Sequence, residues 1–448
     1  MSILTLETKK YSIKIDNFEG PIDLLCYLID KNKMNIYDVN LSDITDQYIE
    51  FLNAMEEMNL EIASEFLVMA STLLYLKSKN LLPKQEEEEE ETTSASNNVE
   101  GETKQDTYVT IAVAGHILCE KPLYDDAYDK ESGTFNFLPM FQNIQKYTKY
   151  TDLTLGTMET NFTDDAISGY RLYNSPKELG NALQTAGVDV LSTAHNHSLD
   201  YGLEGIQATK EYFDSLQIDT VGTKLNPEED SIVIKEVNEI KIAILSYTYG
   251  INEQETKTEE ELSYVNLIDK EKIKQDIEKA KEQGAEYICT MLHWGDLTSS
   301  KVNQEQQELA DFLVENGVDL ILGSHPAVIQ PLEIRQNAEG ENVFISYSVG
   351  NYISASEYEN SNIEMILEVK IKKDAETGKV SLNKVTYTPV YLLDNGKNAE
   401  NRYELYDIKD VIQKYENGED DVVTKELYEK LKQALKEIEK LVGKEEEE

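Results

Sequence analysis

Residues 187–202, GVDVLSTAHNHSLDYG, pass from apolar and β-branched residues straight into Ala194-His195-Asn196-His197 and then a turn ending at Gly202. A short buried strand whose carboxyl end delivers polar donors into a crevice is the way open α/β sheets place ligand-binding groups. The donors here are imidazole nitrogens and an amide oxygen, which suit a divalent cation or a phosphoryl oxygen.

The remaining histidines repeat the arrangement. The chain holds five, at His116, His195, His197, His293 and His325, and those in YICTMLHWGD and VDLILGSHP also close apolar runs. Taken singly, each is equally at home in a core or on a surface. Five of them at strand ends point together to a metal site.

On either side, strand and helix patterns alternate. Strands are expected at YVTIAVAG, DLTLGTME, VDVLSTA, IKIAILSYTY, EYICTML, VDLILGS and NVFISYSVG. Between them lie the amphipathic segments PMFQNIQKYTKY, PKELGNALQTAG, DKEKIKQDIEKAKEQG and QEQQELADFLVENG. This order predicts a layered α/β domain with its ligand residues at one sheet edge. EMILEVKIKK and KVSLNKVTYTPVYLL alternate with period two and read as antiparallel strands completing the sheet.

Composition excludes some functions. With 42 Lys+Arg against 86 Asp+Glu, the formal charge of −44 repels a phosphate backbone, so no direct nucleic-acid binding is expected. Cys26, Cys119 and Cys289 are widely scattered, which suggests reduced thiols. No apolar run reaches signal-peptide or membrane-spanning length, so a cytoplasmic protein without a membrane span is expected. A length of 448 residues allows two or three domains.

The first of these is helical, over 1–85. Gly20-Pro21 opens a helix, since proline suits the first helical position, and further helices are expected at about 42–58 and 60–82. The third carries two apolar stripes, one of Ala63, Phe66, Leu67, Ala70, Leu73 and Leu74, the other of Ile62, Met69 and Leu76. Either both serve an internal core or one meets a helix of another protein. A segment this small does not readily bury both, so a partner helix is expected on Phe66, Leu73 and Leu76. Residues 86–107 open with the unbroken acidic run Glu86–Glu91 and read as a flexible linker. After the α/β domain, placed at 108–398, a tail over 399–448 holds a helix at about 424–442. Its stripe of Leu427, Leu431, Leu435, Ile438 and Leu441, with Gly443 as cap, either docks on the α/β domain or meets a coiled-coil partner, and docking is the favoured reading.

Two family resemblances bear on these segments. DNFEGPIDLLCYLIDKNKMNIYDVNLSDITDQYIEFL followed by ASEFLVMASTLLYLKSKNLLPK, over about 11–84, resembles the amino-terminal domain of segregation and condensation protein A, the bacterial kleisin. That resemblance implies a small all-α domain binding the neck of an SMC ATPase. No counterpart of the family's carboxy-terminal winged helix is recognisable. AGHILCEKPLY, GTMETNF, STAHNHSLDYG, IKIAILSYTYG, MLHWGD, LGSHPAVIQPLE and SYSVGNY, in that order over about 108–393, resemble the CapA family of capsule and poly-γ-glutamate synthesis, itself similar to calcineurin-like metallophosphatases.

The second resemblance implies a four-layer α/β metallophosphatase-like sandwich and a metal-dependent hydrolase of phosphoesterase type. Its substrate would be a phosphorylated or anionic small molecule or polymer precursor. Glu159, Asn196, His293 and His325 fall where the family holds a divalent ion, Mn, Zn or Fe, and His197 where a general acid stands beside the transferred group. The chain departs from the family twice: His116 replaces an Asp, and Ala327 the second His of a His-Pro-His. Both positions serve the other ion of a pair, so one strongly bound ion is expected and His116 is at most a ligand of a weakened second site. His195, Trp294 and Asn351 are expected at the substrate pocket, although Trp294 suits a core equally well. Asp200 and Asp296 either orient histidines or sit in solvated turns.

Overall fold

A computed structural model of the chain describes residues 105–397, 399, 401–419 and 423–442, together with Thr45 and Tyr48. The chain divides into two units, Met1–Glu100 and Gly101–Glu448. Apart from Thr45 and Tyr48, the expected amino-terminal helices, with Phe66, Leu73 and Leu76, lie outside the described residues, as does Gly443.

The second unit is built on two sheets. The strands of the first are β1 (Thr107–Ile117), β4 (Leu153–Met158), β5 (Val190–Ser192), β6 (Asp219–Val221), β13 (Asn351–Ile353), β14 (Ile363–Lys373), β15 (Val380–Asp394) and β16 (Tyr403–Asp407). They lie in the order β16-β15-β14-β1-β4-β5-β6, with β13 pairing on β1. The second sheet comprises β7 (Val233–Val237), β8 (Ile240–Thr248), β9 (Tyr287–His293), β10 (Leu320–Ser324), β11 (Leu332–Gln336) and β12 (Asn342–Ser346), in the order β11-β12-β10-β9-β8-β7. A separate small hairpin joins β2 (Tyr128–Asp129) and β3 (Thr134–Phe135). Strands β1, β4, β5 and β6 run parallel, as do β8, β9, β10 and β12. The period-two strands β14, β15 and β16 add antiparallel at the edge.

Side-chain alternation distributes these strands among three cores. Val109, Ile111 and Val113 of β1, Ile240, Ile242 and Ile244 of β8, and Tyr287, Cys289 and Met291 of β9 meet between the sheets. Their neighbours turn outward. Ala114 and Ile117 pack on the outer face of the first sheet, against helices α1 (Lys121–Ala127), α2 (Leu138–Phe141), α4 (Glu178–Thr185) and α5 (Gly202–Ser215). Ala243, Leu245 and Ile288 pack on the outer face of the second, against α7 (Lys270–Glu282) and α8 (Gln304–Glu315). Helix, sheet, sheet, helix is the four-layer arrangement that the second resemblance implies.

Three local departures have physical causes. Residues 139–150, read as one helix, form α2 and then α3 (Lys146–Lys149), because Ile144 N–H bonds back only three residues to the Phe141 carbonyl and breaks the α-helical ladder. The tail is not wholly helical, since Tyr403–Asp407 is an edge strand on β15. Asp106, the penultimate residue of the expected linker, accepts from the Ala375 N–H at 2.9 Å and from Lys372 Nζ at 3.0 Å just before β1 starts. Beyond β16, helices α9 (Ile408–Asn417) and α10 (Lys425–Val442) follow, with the short α6 (Glu259–Leu262) earlier in the chain. The α10 stripe docks as expected: Leu431 and Ile438 are buried in the inter-sheet core, with Leu427, Leu435 and Leu441 half-buried on it.

Candidate metal centre

Backbone geometry begins the site. Helix α4 ends in a left-handed Gly187, with Gly187 N–H bonded to Gln184 and Val188 N–H to Leu183, a double closure that reverses the chain into β5. β5 then stops at Ser192, and His195, Asn196 and His197 follow on a turn held by Ser198. The Ser198 hydroxyl accepts from His195 N–H at 2.9 Å and donates to the carbonyls of Thr193 and His195. On β1, Gly115 lets the strand run close beside β13, since a Cβ there would meet the Gly350 carbonyl oxygen at 2.5 Å. The next residue is His116.

All five histidines are buried and gather at the carboxyl-terminal edge where the two sheets meet. Buried Glu159, just past β4, is their common neighbour. His116 Nε2 lies against Glu159 Oε2, His293 Nε2 is 3.7 Å from the same oxygen, and His197 Nε2 is 3.7 Å from Oε1. His293 and His325 are 4.6 Å apart between ring centroids, and one ligand atom each from Glu159, His293 and His325 lies within 4.8 Å of the others. Asn196 Oδ1 is 2.8 Å from His293 Nε2. His325 occupies the left-handed region at φ 87°, a conformation uncommon for residues with a Cβ.

Hydrogen bonds fix which atoms face the centre. Asn351 donates its amide N–H groups to the carbonyls of Ser361 at 2.8 Å and Ala327 at 3.3 Å, so its oxygen accepts from His116 Nδ1 at 3.1 Å and Nε2 is turned to Glu159. Asp200 Oδ2 accepts from His197 Nδ1 at 2.7 Å and from the Tyr173 N–H at 2.9 Å, which holds that imidazole with Nε2 toward the carboxylate. Asn196 Nδ2 donates to Asn252 Oδ1 at 3.0 Å, leaving its own oxygen for His293. His195 Nδ1 accepts from the His197 N–H at 3.1 Å and so braces the turn.

Electrostatics agree with a cation centre. Burial alone would raise the Glu159 carboxyl, yet the surrounding His116 and His293 hold it well below the usual carboxylate range. Burial lowers His293 and His325, and takes His195 down to about 3. Glu159 Oε2 and His116 Nε2 are buried against each other, and His325 Nδ1 is buried without a hydrogen-bond partner among the described residues. Buried lone pairs of this kind, converging with an amide oxygen, fit a divalent ion of the borderline class.

Other expected residues fall elsewhere. Trp294 does not reach the centre: adjacent strand residues face opposite sides, so with His293 turned inward Trp294 packs in the outer helix layer and donates to the Tyr347 carbonyl at 2.9 Å. Asn351 is spent on His116 and two carbonyls rather than open to a pocket. His195 is likewise buried in its turn. Asp296 is exposed and bonds Asn303, not a histidine. Three contributors escaped the sequence reading. Asn252 has no motif around it. Asn161 lies within the quoted GTMETNF and donates to the His197 carbonyl at 3.1 Å. Tyr249 follows β8 inside IKIAILSYTYG and stacks on His293 with rings 5.9 Å apart and 8° from parallel.

Residues 110–356 match the family model of the bacterial capsule synthesis protein PGA_cap, and residues 28–103 match that of segregation and condensation protein ScpA. A segregation and condensation protein A from Clostridium acetobutylicum is 50% identical over 121 residues, which is 27% of this chain and 49% of that protein. Its counterpart from Brevibacillus brevis is 58% identical over 75 residues, 17% of this chain and 30% of that protein. The chain thus spans about half or less of these relatives. Among solved structures, the calcineurin-like phosphoesterase YfkN from Bacillus subtilis aligns over 64% of this chain and 91% of its own at 16% identity and a TM-score of 0.39. A 5'-nucleotidase precursor from Thermus thermophilus aligns over 74% of this chain and 58% of its own at 11% identity and a TM-score of 0.39. No helix among the described residues is long and apolar enough to cross a membrane.

Proposed function

Given that the chain belongs to the bacterial capsule synthesis protein family, which covers residues 110–356, we propose that residues 108–398 act as a metal-dependent phosphoesterase-like domain in capsule or poly-γ-glutamate synthesis. The observation that carries this reading is the convergence of Glu159, Asn196, His293 and His325 from the ends of strands in both sheets, with one donor atom each of Glu159, His293 and His325 within 4.8 Å of the others and His325 Nδ1 buried without a hydrogen-bond partner among the described residues. These four would hold one ion of Mn, Zn or Fe; His116, against Glu159, stands where a second would need a ligand. When bound, such an ion polarises a phosphoryl oxygen and lowers the pKa of its water.

The chain's own residues supply the rest. His197, with Nδ1 on Asp200, presents Nε2 toward the centre as the group that gives a proton to the leaving oxygen. Tyr173 meets that ring edge-on at 4.7 Å and restricts its rotation. The buried setting of Glu159 and the histidines excludes bulk water from the reacting phosphoryl group. The test is hydrolysis of bis(4-nitrophenyl) phosphate by the full chain together with its metal content. Turnover that requires bound metal supports the reading, and a metal-free protein with no turnover in added Mn, Zn or Fe contradicts it.

For residues 1–85 we propose a second role, as an SMC-binding segment joined through 86–107 to this domain. The identity of 50 to 58% to segregation and condensation protein A supports it, and Phe66, Leu73 and Leu76 are the proposed contact residues.

A further inference from the structure

An exposed aromatic ring stands directly beside the proposed metal ligands. Tyr249 leaves β8 with its N–H bonded to the His293 carbonyl at 2.9 Å. Its ring lies nearly parallel to His293 and 5.1 Å from the His325 ring, yet the residue is 51% exposed. It is therefore a fixed aromatic surface directly on two of the proposed metal ligands. Further exposed side chains sit on loops that follow site-bearing strands: Tyr170 and Leu172 after β4, Leu297 after β9, and Tyr358 after β13.

Charge points the same way. The ion partners of Glu159 are histidines. Among the described residues Asp200 is paired with His197, and the ammonium group of Lys257 is turned to the Leu199 carbonyl at 3.1 Å. In a chain of net charge −44, a ligand carrying one negative charge per residue is repelled all along its length. A single phosphoryl group reaching the cation centre, carried on a moiety with a flat apolar face, is not.

We propose that the substrate of this site is a glycosyl phosphoester whose sugar ring stacks on Tyr249, and not a poly-γ-glutamate chain. This rests on the phosphoester reading above and narrows it to a substrate class. A sugar ring presents a C–H face that packs on an aromatic ring, whereas glycerol phosphate and polyglutamate offer none.

The test is titration calorimetry on the full chain, carrying its metal, with inorganic phosphate, the phosphonate isosteres of glucose 1-phosphate and glycerol 3-phosphate, and a poly-γ-glutamate oligomer. The glucosyl phosphonate is expected to bind about tenfold more tightly than the glyceryl one, the scale of one stacking contact. That ratio is expected to fall to about one in Tyr249→Ala and to survive in Tyr249→Phe. Equal binding of the two phosphonates, a preference that survives in Tyr249→Ala, or tighter binding of the oligomer would overturn the proposal while leaving the phosphoester reading intact. If not even inorganic phosphate binds, the phosphoester reading falls and this inference with it.

Discussion

His293 Nε2 and Asn196 Oδ1 lie 2.8 Å apart although 97 residues separate them in the chain. One ends a strand of the second sheet and the other follows a strand of the first, so their contact is the seam where the two carboxyl edges close on each other. On the proposed reading this imidazole and amide oxygen share one ion.

Replacing Asn196 by Ala removes the oxygen and leaves the His293 ring without that neighbour. Metal affinity is expected to drop by at least about 10- to 100-fold with the fold retained, as read by metal left after dialysis against a chelator. An unchanged affinity would place the ion elsewhere.

In the proposed mechanism His197 acts beside the ion rather than on it. His197→Ala is expected to lower kcat on bis(4-nitrophenyl) phosphate by about 100- to 10,000-fold while metal content stays at the parent level. Asp200→Asn, which disturbs the tautomer but keeps the ring, should fall between the two. A rate loss that merely tracks metal loss would move His197 into the ligand set.

Stability should carry a pH signature from Asp319, far from the centre. Burial pushes its carboxyl up to about 6 despite the hydrogen bond it accepts from the Ile288 N–H at 2.8 Å. The folded state therefore keeps a proton that the unfolded chain releases, and the native state gains stability as pH falls through about 6, a gain complete only below the ordinary carboxylate value. Asp319→Asn accepts the same hydrogen bond without the charge. Its advantage over the parent in urea unfolding is expected to shrink by on the order of 1 kcal/mol between about pH 8 and about pH 5. A gap that widens toward acid pH would reverse the sign and refute the assignment.

The amino-terminal segment makes a separate prediction. In the full chain, Leu73→Asp puts a charge on the proposed SMC-facing stripe and should abolish capture of an SMC head with its neck, at a penalty of about 2 kcal/mol or more for a buried unpaired charge. Capture equal to the parent would remove Leu73 from the interface.

The alternation of strands and helices and the gathering of histidines at strand ends were legible because both rest on local signals. Alternation in IKIAILSYT divides Ile242 and Ile244 from Ala243 and Leu245, and the same parity carries through YICTMLH to turn His293 inward. That parity also excludes Trp294, which the motif HWG alone left open. What stayed hidden depends on tertiary approach. Helix α5 was missed because small or polar residues, Gly205 and Thr209, sit on its buried face beside Ile206 and Phe213, where Thr209 accepts from the Phe162 N–H at 3.0 Å. Strand β6 is only three residues long, too short to show a period. Asn252 and Tyr249 serve through the orientation of neighbours, and no spacing in the sequence announces that.

The most direct test is the metal content of the full chain, measured by inductively coupled plasma mass spectrometry in the parent, His293→Ala and His325→Ala. The account predicts about one ion of Mn, Zn or Fe per parent chain and nearly complete loss in each variant, with circular dichroism unchanged. A parent that takes up none of these ions, or an ion retained in both variants, would contradict it.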